Sequence, residues 1–182
     1  MVEEKDVNME GIKLFEPILF KDNRGSFMEF YNQKKMNTEL HQDIQFVQDN
    51  ISCSHKNVLR GLHFQARPFE QGKLIQVLRG KVLDVVVDIR RNSKTYGKHL
   101  KFELSGDNLK QLWIPPGFAH GFISLEDNTL FSYKCTNPYS KDHEMDLLWN
   151  DLNLNIEWNI KNPIISEKDK NAKEFANFIS PF

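Results

Sequence analysis

The sequence predicts an all-β protein built as an antiparallel sandwich or barrel. Short runs rich in Phe, Val, Ile and Leu recur along the 182 residues, separated by Gly, Pro, Asn and Asp, which favour turns. No helical segments alternate with these runs, which disfavours a parallel α/β sheet. The chain also lacks internal repeats and low-complexity linkers, and this predicts a single domain over residues 1–182.

Nine strands are predicted between residues 27 and 134, each an apolar run bounded by turn signals such as Arg79-Gly80. They are Phe27–Tyr31, Phe46–Ser54, Val58–Phe64, Lys73–Leu78, Lys81–Asp88, Lys98–Leu104, Gln111–Ile114, Gly121–Ser124 and Thr129–Lys134.

Helical patterns occur in only two places. Asn32–His41 predicts a short surface helix. Near the C-terminus, Ala172, Phe175, Ala176 and Ile179 have the spacing of one amphipathic stripe. This spacing predicts a second short helix that covers one end of the sheet.

Composition and charge exclude several classes of function. The 24 Lys plus Arg residues balance 25 Asp plus Glu, so no global basic field exists to bind nucleic acid. The first ten residues lack the apolar core of a signal peptide. The longest apolar run, Val82–Ile89, is too short to span a bilayer and is interrupted by Asp84 and Asp88. Cys53 and Cys135 are interpreted as buried thiols in a reducing compartment. We therefore expect a cytoplasmic protein without a membrane partner.

Polar side chains interrupt the predicted strands in two series. The first comprises Gln48, Asp49, Asn50, Ser52, Ser54, Arg60, His63 and Gln65; the second comprises Lys73, His120, Tyr133 and Glu144. Strand alternation places many polar residues on a solvent face, which accounts for any one of them alone. Together, imidazole, guanidinium, ammonium and phenol groups at strand positions indicate a polar cavity inside a barrel.

One motif is typical of metal-binding cupin barrels. Residues 115–120 fit the pattern PxGxxH, in which the histidine, here His120, binds a metal. The companion HxH pair is incomplete, because the corresponding stretch reads His63-Phe64-Gln65. A transition metal normally needs three strong protein ligands. The sequence therefore predicts a cupin-like jelly-roll barrel without a metal.

The remaining polar residues suggest acid–base chemistry on an anionic ligand. Nucleotide motifs of the P-loop and Rossmann types are missing, but Arg24 and Arg60 are candidates for phosphate contacts, with plain solvent exposure as the alternative. His63 can take up a proton near pH 7 if a carboxylate fixes its tautomer, and Tyr133 can donate one. A buried structural histidine is the alternative for His63.

Longer blocks of the chain resemble the dTDP-4-dehydrorhamnose 3,5-epimerase family, over about residues 11–169. The most specific are Arg60-Gly61-Leu62-His63 and Gly117-Phe118-Ala119-His120-Gly121-Phe122. The resemblance implies inversion of C3 and C5 of dTDP-4-dehydro-6-deoxy-D-glucose to give dTDP-4-dehydro-L-rhamnose, a step in dTDP-L-rhamnose biosynthesis. It implies no cofactor, because the C4 ketone acidifies the protons at C3 and C5. Proton removal, an enolate and reprotonation from the opposite face are then sufficient.

The same resemblance implies a role for each site residue. His63 is the general base with Asp169 as its carboxylate partner, Tyr133 is the general acid, and Lys73 stabilises the enolate oxygen. The implied substrate contacts are Arg24, Glu29, Gln48, Asp49, Asn50, Arg60, His120, Glu144 and Lys168, with Phe20, Phe27 and Tyr139 packing against thymine or sugar. Family members are usually homodimers that exchange strand contacts, so residues of a partner subunit are expected to complete each pocket.

Two departures from the family pattern lie outside the acid–base set. Phe64 stands where many members have Tyr, and residues 67–70 occupy an expected variable loop. Two alternatives to the double epimerase remain open: an epimerase acting at one carbon of a related nucleotide-4-ketosugar, and a non-enzymatic cupin-like ligand-binding module.

Overall fold

Antiparallel strands in two facing sheets form a cupin-like jelly roll, which confirms the predicted all-β class. The computed structural model describes residues 3–5 and 9–182. The six-stranded sheet has the order β1 (Glu3–Lys5), β2 (Lys13–Glu16), β10 (Gln111–Ile114), β7 (Lys73–Arg79), β12 (Thr129–Cys135) and β5 (Gln48–Ser54). The five-stranded sheet has the order β13 (Glu144–Asp146), β6 (Leu59–Gln65), β11 (Phe118–Ser124), β8 (Lys81–Asp88) and β9 (His99–Ser105). A separate hairpin pairs β3 (Phe20–Asp22) with β4 (Gly25–Phe27).

The five-stranded sheet is buried on both faces. Its inner face packs against the other sheet in a cluster that includes Ile75, Val86 and Phe131. Its outer face is covered by the C-terminal segment, which contributes Trp158 and Phe178. Double burial explains why β8 reads as an almost continuous apolar run rather than an alternating one.

Most predicted strands are confirmed. The eight strands expected from residue 46 onward are present, with ends that shift by up to three residues. The predicted strand Phe27–Tyr31 is wrong, because β4 ends at Phe27 and residues 28–32 form no strand or helix. Five short strands (β1, β2, β3, β4 and β13) were not predicted. Each has only three or four residues and carries charged or small side chains, so the apolar signal is weak.

One of the two predicted helices is present. Helix α1 spans Gln33–Leu40, and the side chain of Asn32 caps it by accepting a hydrogen bond from the Lys35 backbone N–H. A second, four-residue helix, α2, spans Glu167–Lys170. No helix in the described ranges is long and apolar enough to cross a membrane.

The predicted C-terminal amphipathic helix is wrong. Residues 172–179 contain only a single 3-10 turn at Phe175–Asn177. Burial there follows a period of two, because Phe178 and Ser180 are buried whereas Ile179 is 75% exposed. Asp151 fixes this course of the chain by accepting a 2.7 Å hydrogen bond from the Phe175 backbone N–H.

The two cysteines occupy different environments. Cys135 is buried as predicted, but Cys53 is exposed, so that part of the prediction is wrong. Strand β5 lies at the edge of its sheet, and its alternation places Cys53 on the outward face with Asp49 and Ile51.

Candidate active site

A cavity of about 580 Å³ opens between the two sheets. Its lining residues are Ser52, Val58, Leu59, Arg60, His63, Lys73, His120, Phe122, Phe131, Tyr133, Ile164, Ile165, Ser166, Lys168 and Asp169. A second cavity, of about 120 Å³, shares His63, Lys73 and Tyr133 with the first. Its further lining includes Gln48, Asn50, Cys135, Tyr139 and Glu144. Ile164 and Ile165 were not predicted as part of the site, because apolar residues outside a strand carry no chemical signal.

The four principal polar groups come from opposite sheets. His63 and His120 are directly paired across β6 and β11 of the five-stranded sheet. Lys73 on β7 and Tyr133 on β12 belong to the six-stranded sheet. Two imidazoles on one wall therefore share the cavity with an ammonium and a phenol on the other.

Two glycines allow β6 and β11 to approach closely beside these histidines. A Cβ added to Gly61 would lie 2.5 Å from the Cα of Gly121, and one added to Gly121 would lie 2.8 Å from the carbonyl oxygen of Arg60. Gly61 also has a φ of +134°, a conformation that side-chain-bearing residues rarely adopt. The glycine that follows Arg60 and the one that follows His120 are thus required by backbone packing.

His63 is paired with Asp169 and open to the cavity. Its Nε2 lies 2.6 Å from Asp169 Oδ1, and 30% of the imidazole side chain is exposed. Burial alone would raise the pKa of Asp169, but hydrogen bonds from His63, Ser166 and the Gly61 backbone, with the charge of His63, outweigh it and lower that pKa. An ionised Asp169 accepts a hydrogen bond from Nε2–H, so Nδ1 is the nitrogen left to take up a proton.

His120 forms a second imidazole–carboxylate pair that is almost completely enclosed. Its Nε2 lies 2.7 Å from Oδ2 of Asp84, a carboxylate with no exposed surface. Burial raises the pKa of Asp84, while the nearby charges of His120 and Lys73 act in the opposite direction. Sequence reasoning noted Asp84 only as an interruption of the apolar run in β8. A carboxylate at an inward position of such a run was the available signal.

Lys73 and Tyr133 are both influenced by burial. Burial lowers the pKa of Lys73, whereas the nearby Cys135, Asp84 and Glu144 favour its charged form. Burial also raises the pKa of Tyr133, against the opposing charge of Arg60. Tyr133 consequently keeps its proton at neutral pH and can act as a donor.

Hydrogen bonds connect the predicted contacts of the second cavity. Gln48 Nε2 donates to Asn50 Oδ1 at 2.9 Å, and Gln48 Oε1 accepts from the Tyr139 backbone N–H at 2.8 Å. Glu144 Oε2 accepts from the Tyr139 hydroxyl at 3.1 Å and lies 2.7 Å from Lys168 Nζ. Burial would raise the pKa of Glu144, but the bond and charge of Lys168 bring it below its usual value.

Arg60 reaches the main cavity from β6. Its Nε donates a 3.2 Å hydrogen bond to Oγ of Ser54, whose side chain points inward from β5. The charge of the guanidinium acts against the burial that raises the pKa of Tyr133. A cation is therefore present on the same cavity wall as the predicted base.

Three predicted contacts lie on the hairpin and do not line either cavity. The rings of Phe20 and Phe27 are largely exposed, with centroids 6.4 Å apart. Arg24 is also exposed and forms an ion pair with Asp22 in the same turn. The described chain does not bring these three residues to His63.

Two further predicted contacts also lie elsewhere in this chain. Glu29 forms a 2.7 Å ion pair with Lys35 in front of helix α1. Asp49 lies on the outward face of β5, where its carboxylate pairs with Lys134 at 2.8 Å. The alternation of β5 separates Asp49 from Gln48 and Asn50, which point the other way.

The residues at the cupin metal positions do not fit a metal site. Gln65 is buried, and its amide donates to the carbonyl oxygens of Phe69 and Pro138 and accepts from the Ser140 backbone N–H. The Nε2 atoms of His63 and His120 are each engaged by a carboxylate. Among the described residues, no group of three or more His, Cys, Asp or Glu side chains is arranged to hold an ion.

Comparison with known proteins finds relatives that match almost the whole chain. Residues 6–177 match the family described as dTDP-4-dehydrorhamnose 3,5-epimerase. The chain is 50% identical to a protein of that name from Shigella flexneri, over 91% of this chain and 92% of the relative.

Two solved structures are also closely similar. The dTDP-6-deoxy-D-glucose-3,5-epimerase from Legionella pneumophila, in complex with dTDP-4-keto-L-rhamnose, has a TM-score of 0.94 and 40% identity, covering 98% of this chain and 95% of that one. A 3′-monoepimerase from Streptomyces bikiniensis, in complex with dTDP-quinovose, has a TM-score of 0.89 and 30% identity, covering 93% and 86%. The chain therefore belongs to the dTDP-4-dehydrorhamnose 3,5-epimerase family.

Proposed function

We propose that the chain is a dTDP-4-dehydrorhamnose 3,5-epimerase, which converts dTDP-4-dehydro-6-deoxy-D-glucose to dTDP-4-dehydro-L-rhamnose. The observation that carries this proposal is the position of the His63–Asp169 pair and Tyr133 in one cavity, on opposite sheets. A base and an acid on opposite sides of a sugar ring are what inversion of a carbon requires. Residues 1–182 act in this proposal as a single cytoplasmic domain.

His63 begins each inversion. Its Nδ1 takes the proton from a carbon next to the C4 ketone, and the electron pair of that C–H bond moves into the carbonyl to form an enolate. The resulting imidazolium is stabilised by Asp169, which its Nε2–H already contacts at 2.6 Å. The negative charge on the enolate oxygen is stabilised by the Lys73 ammonium, in a cavity wall that excludes much of the solvent.

Tyr133 completes the inversion from the other wall. Its hydroxyl donates a proton to the carbon while the enolate collapses back to the ketone, so the carbon acquires the opposite configuration. The elevated pKa of Tyr133 favours the protonated donor that this step needs. The proton that His63 gained then passes through solvent to the Tyr133 phenolate, which restores both groups. The same sequence at the second carbon gives the L-rhamno product without net redox change.

We also propose that the active form is a homodimer. Five predicted substrate contacts lie away from the cavity of their own chain, and three of them are on the exposed hairpin. An exposed cation with two exposed aromatic rings suits a nucleotide held in the neighbouring subunit's cavity. The partner's hairpin would supply the contacts that the cavity lacks.

A single epimerase is the second candidate function. It is favoured by the similarity to the 3′-monoepimerase from Streptomyces bikiniensis. One base, one acid and one enolate-stabilising cation also serve inversion at one carbon, so the number of inversions depends on how the sugar turns within the cavity.

Turnover in D2O followed by NMR distinguishes the two functions. We expect the L-rhamno product with deuterium at both C3 and C5. Label at one carbon, with the other centre retained, would demonstrate a single epimerase, and a substrate without any exchange would refute the enzyme proposal. In the same assay, Tyr133→Phe should allow proton exchange without a matching yield of inverted product. A Tyr133→Phe variant with the full rate would assign the acid to another group.

A further inference from the structure

A buried carboxylate, Asp84, stands in the apolar interior between the sheets. It lies on β8 between Val82 and Val86, which are fully buried in the inner hydrophobic cluster. Asp84 itself has no exposed surface. A charged group in such a row opposes folding unless its neighbours compensate it.

Only one of the two carboxylate oxygens of Asp84 accepts a hydrogen bond within the described residues. Oδ2 accepts from His120 Nε2 at 2.7 Å, whereas Oδ1 is buried without a hydrogen-bond partner among the described residues. Native interiors compensate most buried polar atoms, so the charge on this oxygen depends on neighbours other than hydrogen-bond donors. The other charged group that acts on Asp84 is Lys73, from the opposite sheet.

We propose that Asp84 is a positioning residue for the epimerisation, whose buried charge orients the His120 ring and keeps the Lys73 ammonium charged beside the substrate's carbonyl oxygen. This inference rests on the proposed function. Asp84 acts through its two neighbours and does not line the cavity itself. Lys73, in contrast, does line the cavity. A charge behind the cavity wall would thus set the electrostatics at its surface.

The surroundings of Lys73 show how much depends on Asp84. The titratable or charged groups around it are Tyr133 and Cys135 from β12, Asp84 from β8, Glu144 from β13, His63 and Arg60 from β6, and His120 from β11. Of these, Asp84 and Glu144 are the carboxylates that favour the ammonium, and Glu144 is already paired with Lys168. Burial opposes the charge, so loss of Asp84 should lower the pKa of Lys73.

The test compares Asp84→Asn with a matched control, Asp88→Asn. Asp88 lies on the same strand and is equally buried, but it pairs with Arg90, Ser93 and Thr95 away from the cavity. Asp84→Asn should lower kcat at least about tenfold with little change in KM, because a one-unit change in pKa corresponds to a factor of ten. The basic limb of the kcat–pH profile should move to lower pH. Asp88→Asn should lower stability and leave kcat and the profile unchanged.

A measurement without substrate keeps the proposal testable if Asp84→Asn does not fold. Protein labelled with ¹³C at lysine Cε gives one NMR signal for Lys73, identified by its loss in Lys73→Gln. In the wild type we expect this signal to report an ammonium throughout neutral pH, and in folded Asp84→Asn to titrate at lower pH. A neutral Lys73 at pH 7 in the wild type, or matching pH profiles in wild type and Asp84→Asn, would overturn the proposal. A charged Lys73 in a protein without turnover would instead refute the proposed function.

Discussion

Two imidazole–carboxylate pairs stand next to each other on neighbouring strands and differ mainly in their exposure. The His63–Asp169 and His120–Asp84 contacts measure 2.6 and 2.7 Å, and the two histidines are paired in register across β6 and β11. His63 is 30% exposed, whereas His120 is 8% exposed. The pKa of Asp169 is lowered, whereas burial raises that of Asp84.

The difference shows that the same combination of imidazole and carboxylate acquires different properties from the element that holds the carboxylate and from its other hydrogen-bond donors. Asp169 lies in the short helix α2 and receives hydrogen bonds from Ser166 and the Gly61 backbone besides His63. Asp84 is held by a central strand and has a single hydrogen-bond donor. A pair whose imidazole is open to the cavity suits proton transfer, while a fully enclosed pair suits fixed electrostatics.

Removal of the open imidazole should have the largest effect. We expect His63→Ala to lower kcat at least about 10²-fold, because a positioned general base contributes 10²–10⁴-fold. Binding of dTDP, measured by calorimetry, should persist because His63 does not contact the charged part of the ligand in the proposed mechanism. His55→Ala, at an exposed histidine outside the cavity, is the control. A His63→Ala rate above about a tenth of wild type would contradict the proposed role.

A larger residue at Gly121, where β11 approaches β6 beside both histidines, should destabilise the protein. Gly121→Ala introduces a Cβ 2.8 Å from the Arg60 carbonyl oxygen and 3.0 Å from the Cα of Gly61. We expect it to reduce the free energy of unfolding by about 1–3 kcal/mol, the usual effect of overpacking. Chemical denaturation measures this loss. Wild-type stability would show that β6 and β11 separate easily, and the close approach would then lose its structural importance.

The smallest expected effect is a difference in how stability depends on pH. The lowered pKa of Asp169 means that its contribution is present above its unfolded pKa and is lost as the pH falls through the folded value. The raised pKa of Asp84 gives the opposite sign, because its contribution is present below the unfolded pKa and lost as the pH rises through the folded value.

Urea unfolding of two variants between about pH 3.5 and 7 tests these signs around the unfolded Asp pKa of about 3.9. The stability deficit of Asp169→Asn should shrink in acid, whereas that of Asp84→Asn should shrink as the pH rises. Parallel slopes would remove the contrast between the two pairs.

The sequence was most informative about the strands, whose residues act mainly through local packing. Apolar runs identified β5 to β12, because buried strands of this kind need continuous hydrophobic surface. The stripe at residues 172–179 was misleading, since Asp151 binds the Phe175 backbone N–H and the segment forms only one 3-10 turn. Such long-range contacts have no local signature.

The site was predicted less completely than the fold. Resemblance identified the acid–base candidates, and the structure places His63, Tyr133, Lys73 and Asp169 around one cavity. Asp84 was not selected, because a carboxylate within an apolar run has chemical meaning only when its neighbours in the other sheet are known. The hairpin residues Phe20, Arg24 and Phe27 were implied by the resemblance alone, and the structure places them outside both cavities.

The buried amide of Gln65 has a consequence for how this barrel can evolve. Three backbone groups depend on it, from Phe69, Pro138 and Ser140. A single Gln65→His change would restore the cupin ligand pair in sequence, but an imidazole cannot replace all three hydrogen bonds and would leave buried groups unsatisfied. A second metal ligand at this position therefore needs compensating substitutions that first satisfy the backbone groups of Phe69, Pro138 and Ser140.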